Sequence, residues 1–328
     1  GDSLHYLKGH LMRVFVGLVV GIIAWRMRAS MLQFLAVPAY FAALALLALT
    51  VVASGSALAP EINGSTRWLH LGPVRLLPSE LMRYGYVLLS AFMASRSWWD
   101  ARKLWHFGLM ALAAVIPMVL ILSQPDFSGS AYLGAVMMVM LLLAGARFKH
   151  LVLLGGVAAL FAAAAVFSSP YRMDRVTTGM DGSELSGSGY QSQQACIALG
   201  SGGLLGRGLG RGRQQRGFLP EAFSDYILAV IGEEAGFVGA VMVLSCLALV
   251  CTAGWRIAVR ADTTFCSMVS GGFTAVIAIG VLIHAGVVTK LLPPTGIPLP
   301  LVSWGGTGIV MTMGALGFLA GAAGRRRQ

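Results

Sequence analysis

Four carboxylates stand close together in a chain that has few of them. The segment GFLPEAFSDYILAVIGEEAGFVGA contains Glu221, Asp225, Glu233 and Glu234, whereas all 328 residues include only 13 acidic side chains. An ionisable group beside an apolar run is costly unless it has a partner or a function. Asp225 is placed where a carboxylate could serve as a general base.

A structural explanation of these acids is equally open. Pro220 fits the first turn of a helix, where Glu221 and Asp225 would interact favourably with the helix dipole. Glu233 and Glu234 lie deeper in the apolar run, where they would tie helices together.

Arginines crowd the connection that precedes these acids. The segment GRGLGRGRQQRG, residues 206–217, superficially matches a glycine-rich phosphate loop, but the strand that such a loop follows is absent. Backbone N–H groups and guanidinium groups could still surround a pyrophosphate, and the alternative is a flexible solvated loop. The arginines of this connection are Arg172, Arg175, Arg207, Arg211, Arg213 and Arg216.

Two further segments are rich in turn-forming residues. GSTRWLHLGPVRLLPSELMR, residues 64–83, predicts an interfacial belt in which Ser79 and Glu80 cap the next helix. KLLPPTGIPLPLVSWGGTG, residues 290–308, has four prolines and four glycines. It therefore cannot be a regular helix at membrane depth, and it must line a cavity or pack inside the protein.

The composition identifies the elements that must position these groups. With 57% hydrophobic and 11% charged residues, the chain is far more apolar than a soluble domain, in which about 25% of residues are charged. We predict an all-α polytopic membrane protein, with residues 1–328 forming a single domain. Its nine predicted transmembrane helices lie at about 11–25, 31–53, 79–95, 105–123, 130–146, 150–168, 227–255, 265–288 and 303–323.

Charge predicts the orientation of these spans. Alternate connections carry basic clusters near Arg26, Arg96, Arg147, Arg256 and Arg325, so that face is predicted to be cytoplasmic. A chain of nine spans that ends on the cytoplasmic side must begin on the outer side. We therefore expect one more span before residue 1. The opposite face has long connections at 54–78, 169–226 and 289–302, where binding sites are expected. The 169–226 connection is predicted to be a large extracytoplasmic loop.

The cysteines and histidines suggest no metal centre. Cys196, Cys246, Cys251 and Cys266 lack CxxC spacing, and the six histidines are scattered. Neither a zinc site nor a disulfide framework is predicted.

Four segments together resemble one family, the SEDS proteins (shape, elongation, division and sporulation), which include FtsW and RodA. The segments occur in family order, and the resemblance covers essentially the whole chain. Family members usually have ten spans, in agreement with the missing first span inferred above. STRW and PEA look more like the division branch, FtsW, than the elongation branch, RodA. The matching segments are STRWLHLGPVRLLPSELMR, GSGYQSQQACIALGSGGLLGRGLGRGRQ, LPEAFSDYILAVIGEEAGFVG and LLPPTGIPLPLVSWGGTG.

The resemblance implies a glycosyltransferase that polymerises lipid II into peptidoglycan strands at the outer face of the bacterial cytoplasmic membrane. The family's essential aspartate maps to Asp225, which would deprotonate the acceptor 4-hydroxyl in an inverting reaction. Loop arginines or a divalent cation, Mg²⁺ or Mn²⁺, would stabilise the leaving diphosphate, and no other cofactor is expected. The predicted substrate-binding residues are Arg67, Ser79, Glu80, Gln191, Gln194, Arg207, Arg211, Arg213, Lys290 and Ser303.

The implied partners are a class B penicillin-binding protein and other division or elongation proteins, and no nucleic acid. Two alternative functions, a lipid II flippase and a scaffold for the transpeptidase, remain compatible with the same motifs. A lipid II flippase would need a charged path through the membrane, but charged residues within the spans are sparse. A scaffold for the transpeptidase would tolerate replacement of Asp225.

Some positions depart from the family pattern. Phe223 stands where histidine is common, Ser224 where threonine is common, and Trp304 replaces tyrosine. Gly217 occupies a position that is often acidic. The absent histidine argues against a histidine-assisted base, and the absent acid argues against a two-carboxylate or strongly metal-dependent scheme. Neither difference removes Asp225 itself.

Overall fold

The computed structural model of the chain describes residues 5–62, 64–72, 74–167, 187–214, 218–219 and 221–324. A short hairpin pairs β1 (Leu69–Leu71) with β2 (Val74–Leu76), and Leu69 lies opposite Leu76. The other elements are helices, so the predicted all-α fold is confirmed. They are α1 (His5–Arg26), α2 (Ala29–Val52), α3 (Pro78–Ala94), α4 (Leu104–Ser123), α5 (Phe127–Leu143), α6 (Phe148–Phe167), α7 (Gly187–Ser201), α8 (Ile227–Val259), α9 (Thr264–Val288) and α10 (Thr307–Gly324).

Every predicted span corresponds to a helix. In the described part of the chain, six helices are long and apolar enough to cross a membrane, namely α1, α2, α4, α8, α9 and α10, while α5 and α6 include shorter apolar helices. Helix α3 is less apolar because it carries Glu80 and Arg83, but most of its residues are buried in protein. A helix that is shielded from lipid can carry such groups.

The described part of the 169–226 connection contains an element that hydropathy missed. Helix α7 has only modest hydrophobicity, but Ser192, Ala195 and Ala198 are buried along it at helical spacing. Packing of this face, rather than insertion in lipid, supports the helix. Helix α1 also begins earlier than predicted, at His5 rather than residue 11.

The described residues cluster into two compact units. Unit 1 comprises Gly1–Leu151, Cys251–Ile279 and Gly305–Gln328, and unit 2 comprises Val152–Val250 and Gly280–Trp304. Each unit is assembled from separate stretches of the chain. The single domain predicted over 1–328 stays a prediction.

Unit 1 is organised around α3, which packs against α2, α4, α5 and α10. Helix α1 packs along α10. A side chain at Gly317 of α10 would collide with the backbone carbonyl of Gly21 in α1. Small residues thus allow the first and last described helices to approach closely.

The core of unit 2 combines α7, the start of α8 and the proline-rich segment. Ala195, Tyr226, Leu228 and Leu299 are buried in one cluster. The segment between α9 and α10 is not helical, as predicted. Ile297 and Leu299 are buried in protein, whereas Leu291 and Leu292 are exposed.

Candidate functional site

Asp225 lies on a turn just before α8. Helix α8 begins at Ile227, and the left-handed φ of 52° at Glu221 is incompatible with a helical first turn. Glu221 and Asp225 therefore precede the helix and are not part of its first turn, and Pro220 lies outside the described residues. The Asp225 N–H donates to the Glu221 carbonyl at 3.0 Å, which closes the turn.

The half-buried carboxylate of Asp225 faces a glycine of the proline-rich segment. A β-carbon built on Gly296 would lie 3.1 Å from Asp225 Oδ2, and Gly296 has a φ of 67°. The backbone angle favours glycine here, and a side chain at this position would press against the carboxylate. Two predicted outer motifs therefore meet at Asp225.

Hydrogen bonds fasten the backbone on either side of this contact. The Ser303 hydroxyl donates to the Ser224 carbonyl at 2.6 Å and accepts from the Leu299 N–H at 2.7 Å. The Trp304 N–H donates to the Phe223 carbonyl at 2.9 Å. The two carbonyl groups that precede Asp225 are therefore held by the end of the proline-rich segment.

A histidine fixes the other part of this segment. His284 Nδ1 lies 3.0 Å from the Ile297 carbonyl, which can only accept, so Nδ1 carries the proton in this bond. The segment that faces Asp225 is thus tied down both at Ile297 and at Ser303.

The acidic pair inside α8 has structural partners. Glu233 is fully buried, and its carboxylate accepts from the N–H groups of Arg213 at 2.8 Å and Gln214 at 3.1 Å. Arg207 completes this set, with its guanidinium 3.4 Å from Glu233 Oε1. Glu234 accepts from the Gly212 N–H at 3.3 Å. The pair therefore ties the glycine and arginine loop to α8, rather than one helix to another.

The same loop covers a break in α8 at Gly236, which has φ 71° and ψ −171°. Before the break, the carbonyls of Glu233 and Glu234 accept from the N–H groups of Arg207 and Gly208, both at 3.0 Å. After it, the N–H groups of Phe237 and Val238 donate to the carbonyls of Gly203 and Leu204, at 2.9 and 3.2 Å. The loop thus supplies hydrogen-bond partners for backbone groups that lose their helical partners at the break.

The arginines of the loop have different surroundings. The side chain of Arg207 is occupied by Glu233 and by the Ser201 carbonyl. Arg211 and Arg213 are exposed and remain candidates for binding an anion. Arg172, Arg175 and Arg216 lie outside the described residues, as does Gly217.

The remaining predicted residues of unit 2 lie on α7 and after α9. Gln191 and Gln194 are half-buried on α7, and Lys290 is half-buried with a left-handed φ of 59°. Burial raises the pKa of the Cys196 thiol, although the nearby Lys290 ammonium opposes the shift. Cys196 is therefore a protonated packing thiol at neutral pH.

Unit 1 contains Arg67, Ser79 and Glu80. Arg67 Nη1 lies 3.7 Å from Asp126 Oδ1, and Nη2 donates to the Pro125 carbonyl at 3.1 Å. Asp126 also caps α5 by accepting from the Gly129 N–H at 2.9 Å. Arg67 is thereby anchored to the start of α5.

The predicted capping of α3 by Ser79 and Glu80 is wrong. The residue at the N-cap is Leu77, so no side-chain hydrogen bond caps the helix. The Leu77 N–H donates to Thr307 Oγ1 at 2.9 Å. Ser79 and Glu80 are buried within α3, and the Ser79 hydroxyl has no hydrogen-bond partner among the described residues. The helix starts one residue earlier because Pro78 occupies its first turn.

Three residues that contact the predicted site residues or their helices were not predicted from the sequence. These are Gly296, Asp126 and Thr307, and only Gly296 had a local signal, since it stands among prolines. Within the described part of the chain, no three His, Cys, Asp or Glu side chains form a metal-binding group.

The sequence matches one family model over residues 1–328, described as cell cycle protein FtsW, RodA and SpoVE. A probable peptidoglycan glycosyltransferase FtsW from Nitrosococcus halophilus is 36% identical and covers 97% of this chain and 83% of its own. One from Trichlorobacter lovleyi is 32% identical with the same coverage. Stage V sporulation protein E of Bacillus subtilis is 36% identical over 78% of this chain and 71% of its own.

Solved structures show the same fold. A chain of a peptidoglycan synthase complex, described as coordinating polymerization and crosslinking, superimposes with a TM-score of 0.82 and 27% identity, covering 100% of this chain and 92% of its own. The rod shape determining protein RodA of Thermus thermophilus gives a TM-score of 0.72 and 26% identity, with 100% and 90% covered.

Proposed function

Since this chain belongs to the FtsW/RodA/SpoVE family and is a peptidoglycan glycosyltransferase, we propose that it polymerises lipid II with Asp225 as the general base. One observation carries this proposal. Asp225 is a half-buried carboxylate whose backbone is fastened by two separate hydrogen bonds from the proline-rich segment. A base held in this way is oriented before substrate arrives.

The stereochemistry of the reaction is consistent with a single base. Joining an α-linked diphosphate donor to form a β-1,4 bond inverts the anomeric carbon. The acceptor 4-hydroxyl attacks in line and loses its proton to Asp225. The diphosphate leaves as an anion and needs no proton, so a second carboxylic acid is not required.

The leaving diphosphate needs positive charge nearby. Arg211 and Arg213 offer exposed guanidinium groups, which can bind phosphate oxygens in pairs. Lys290 is a further cationic candidate, and the role of Arg67 as a substrate ligand stays a prediction. The roles of Gln191, Gln194, Ser79 and Glu80 as substrate ligands stay predictions.

A divalent cation fits this site only together with substrate. Mg²⁺ commonly binds through one or two carboxylates plus substrate phosphates, so a cluster of three protein ligands is not needed. Glu221 is exposed on the same turn as Asp225, and its Oε2 accepts from the Ser224 hydroxyl at 3.1 Å, so it is a candidate protein ligand. When bound, the cation would neutralise charge on the diphosphate, and Asp225 would stay free to accept the proton.

The proposed setting is the outer face of the bacterial cytoplasmic membrane, with a class B penicillin-binding protein as partner. A structural relative is part of a peptidoglycan synthase complex, which supports such a partnership. The apolar helices support a multi-pass membrane protein.

The test is glycan polymerisation from purified lipid II by the full chain together with its transpeptidase. Asp225→Asn keeps the size of the side chain and removes the base, so we expect polymer synthesis to fall by about 10²- to 10⁴-fold. Asp262→Asn is the matched control, because Asp262 is exposed in the connection between α8 and α9. It should synthesise polymer at the wild-type rate, and parallel reactions with and without Mg²⁺ test the cation.

Equal polymer from Asp225→Asn and wild type would remove Asp225 from the chemistry. The scaffold alternative would then be favoured if a transpeptidase preparation alone made the same polymer.

A further inference from the structure

We infer that Ser303 is a positioning residue that sets the orientation of Asp225 through the backbone, and that it does not bind substrate. This inference rests on the proposed role of Asp225 and adds a second residue to it. The sequence had placed Ser303 among the substrate ligands.

Burial separates Ser303 from any substrate. Its side chain is 1% exposed, whereas Asp225 is only half-buried. Its hydroxyl donates to the Ser224 carbonyl at 2.6 Å and accepts from the Leu299 N–H at 2.7 Å. A hydroxyl donates one hydrogen bond, so its donor is already used.

The bonded carbonyl belongs to the peptide group that joins Ser224 to Asp225. Holding this oxygen limits rotation of that peptide plane, and the Trp304 N–H holds the preceding plane through the Phe223 carbonyl at 2.9 Å. Rotation of either plane would swing the Asp225 side chain. The two bonds thus fix where the carboxylate points.

The same hydroxyl also stabilises the turn that follows Gly296, the residue opposite the carboxylate. By accepting from Leu299, Ser303 closes the turn over 299–303, in which the Ser303 N–H donates to the Leu299 carbonyl at 3.0 Å. Gly296, three residues before Leu299, faces Asp225 Oδ2. One side chain therefore joins both sides of the contact.

The test compares Ser303→Ala with Thr289→Ala in the full chain with its partner. Ser303→Ala leaves the Ser224 carbonyl and the Leu299 N–H unpaired, and displacement of a catalytic group by about 1 Å can reduce the rate roughly 10²-fold. We expect kcat for polymerisation to fall by about ten- to a hundredfold while KM for lipid II stays within about twofold. Thr289→Ala removes a hydroxyl that bonds only within its own helix end, to Ala285 and Gly286, and it should change neither value.

Hydrogen–deuterium exchange gives a second readout that does not depend on activity. In Ser303→Ala, peptides covering 221–226 and 295–304 should exchange faster, while peptides of α7 and of α8 beyond Gly236 stay protected. Ser303→Cys keeps one donor at the same place on the side chain, although the thiol is larger and a weaker donor than the hydroxyl. It serves as the second variant if the alanine form is unstable. We expect its exchange rates and kcat to lie between those of wild type and alanine.

A raised KM with unchanged kcat in either variant would make Ser303 a substrate ligand and overturn the inference. Wild-type exchange in 221–226 would also overturn it. The proposed function fails separately, if Asp225→Asn retains polymerisation.

Discussion

At the scale of single residues, the environment of Asp225 depends on the absence of one methyl group. The Cβ position of Gly296 lies 3.1 Å from Asp225 Oδ2, which is closer than a carbon and a carboxylate oxygen pack comfortably. Gly296 also has a φ of 67°. A side chain there would therefore affect both the backbone and the carboxylate.

Gly296→Ala should reduce polymerisation about tenfold or more, because the new methyl group displaces Asp225. Gly145→Ala is its matched control. Gly145 has a φ of 80° and nothing within 4 Å of its Cβ position, so it imposes similar backbone strain, about 1–2 kcal/mol, without a steric contact. The rate from lipid II and the thermal unfolding temperature should be measured for both. A similar loss of rate in the two variants would attribute the effect to strain alone.

The sequence identified the carboxylate but not what surrounds it. Asp225 was assigned from the PEAFSD motif, whereas the bond between Ser303 and Ser224 joins residues 79 positions apart. Sequence spacing does not reveal such long-range contacts. For the same reason Asp126, the partner of Arg67, could not be predicted.

At the scale of elements, the loop over 202–214 and the break in α8 form one arrangement. Glu233 is fully buried, so its carboxylate depends on the N–H groups of Arg213 and Gln214. Glu233→Gln would place an amide against these donors and lose charge-assisted bonds worth about 1.5–3 kcal/mol each.

We expect Glu233→Gln to loosen the loop, so that trypsin cleaves after Arg211 and Arg213 faster than in wild type. Glu234→Gln is the matched control, because Glu234 is half-buried and its bond to Gly212 is longer, at 3.3 Å. Thermal unfolding should be followed in parallel. Equal cleavage rates in the glutamine variants would contradict a special role of Glu233.

The elements differ in how far the sequence predicts them. Long apolar runs predicted the membrane helices because lipid demands both length and apolarity. The break at Gly236 lies within such a run, so hydropathy alone could not locate it. Helix α7 was missed because its stability comes from packing of Ala195 and Ala198 rather than from an apolar sequence.

At the scale of the whole molecule, the first and last described helices are packed together in unit 1. Gly317→Leu would force α10 away from the Gly21 backbone, and overpacking of this kind costs about 1–3 kcal/mol or more. We expect a lower thermal unfolding temperature in detergent. Gly108→Leu is the control, because Gly108 is exposed on α4 with nothing near its Cβ position. An unchanged unfolding temperature for Gly317→Leu would show that this contact is dispensable.

The break in α8 has a consequence for the order of assembly during synthesis. Glu233 and the loop residues that it binds are separated by only 19 to 26 positions, so the chain closes this contact at small entropic cost. The bond from Ser303 to Ser224 spans 79 positions and needs the segment that follows α9. The nascent protein can thus complete its broken helix while the ribosome is still translating α9. The peptide group before Asp225 is held only after the segment between α9 and α10 has emerged. On the proposed role of Asp225, chains that stop before this segment would be inactive.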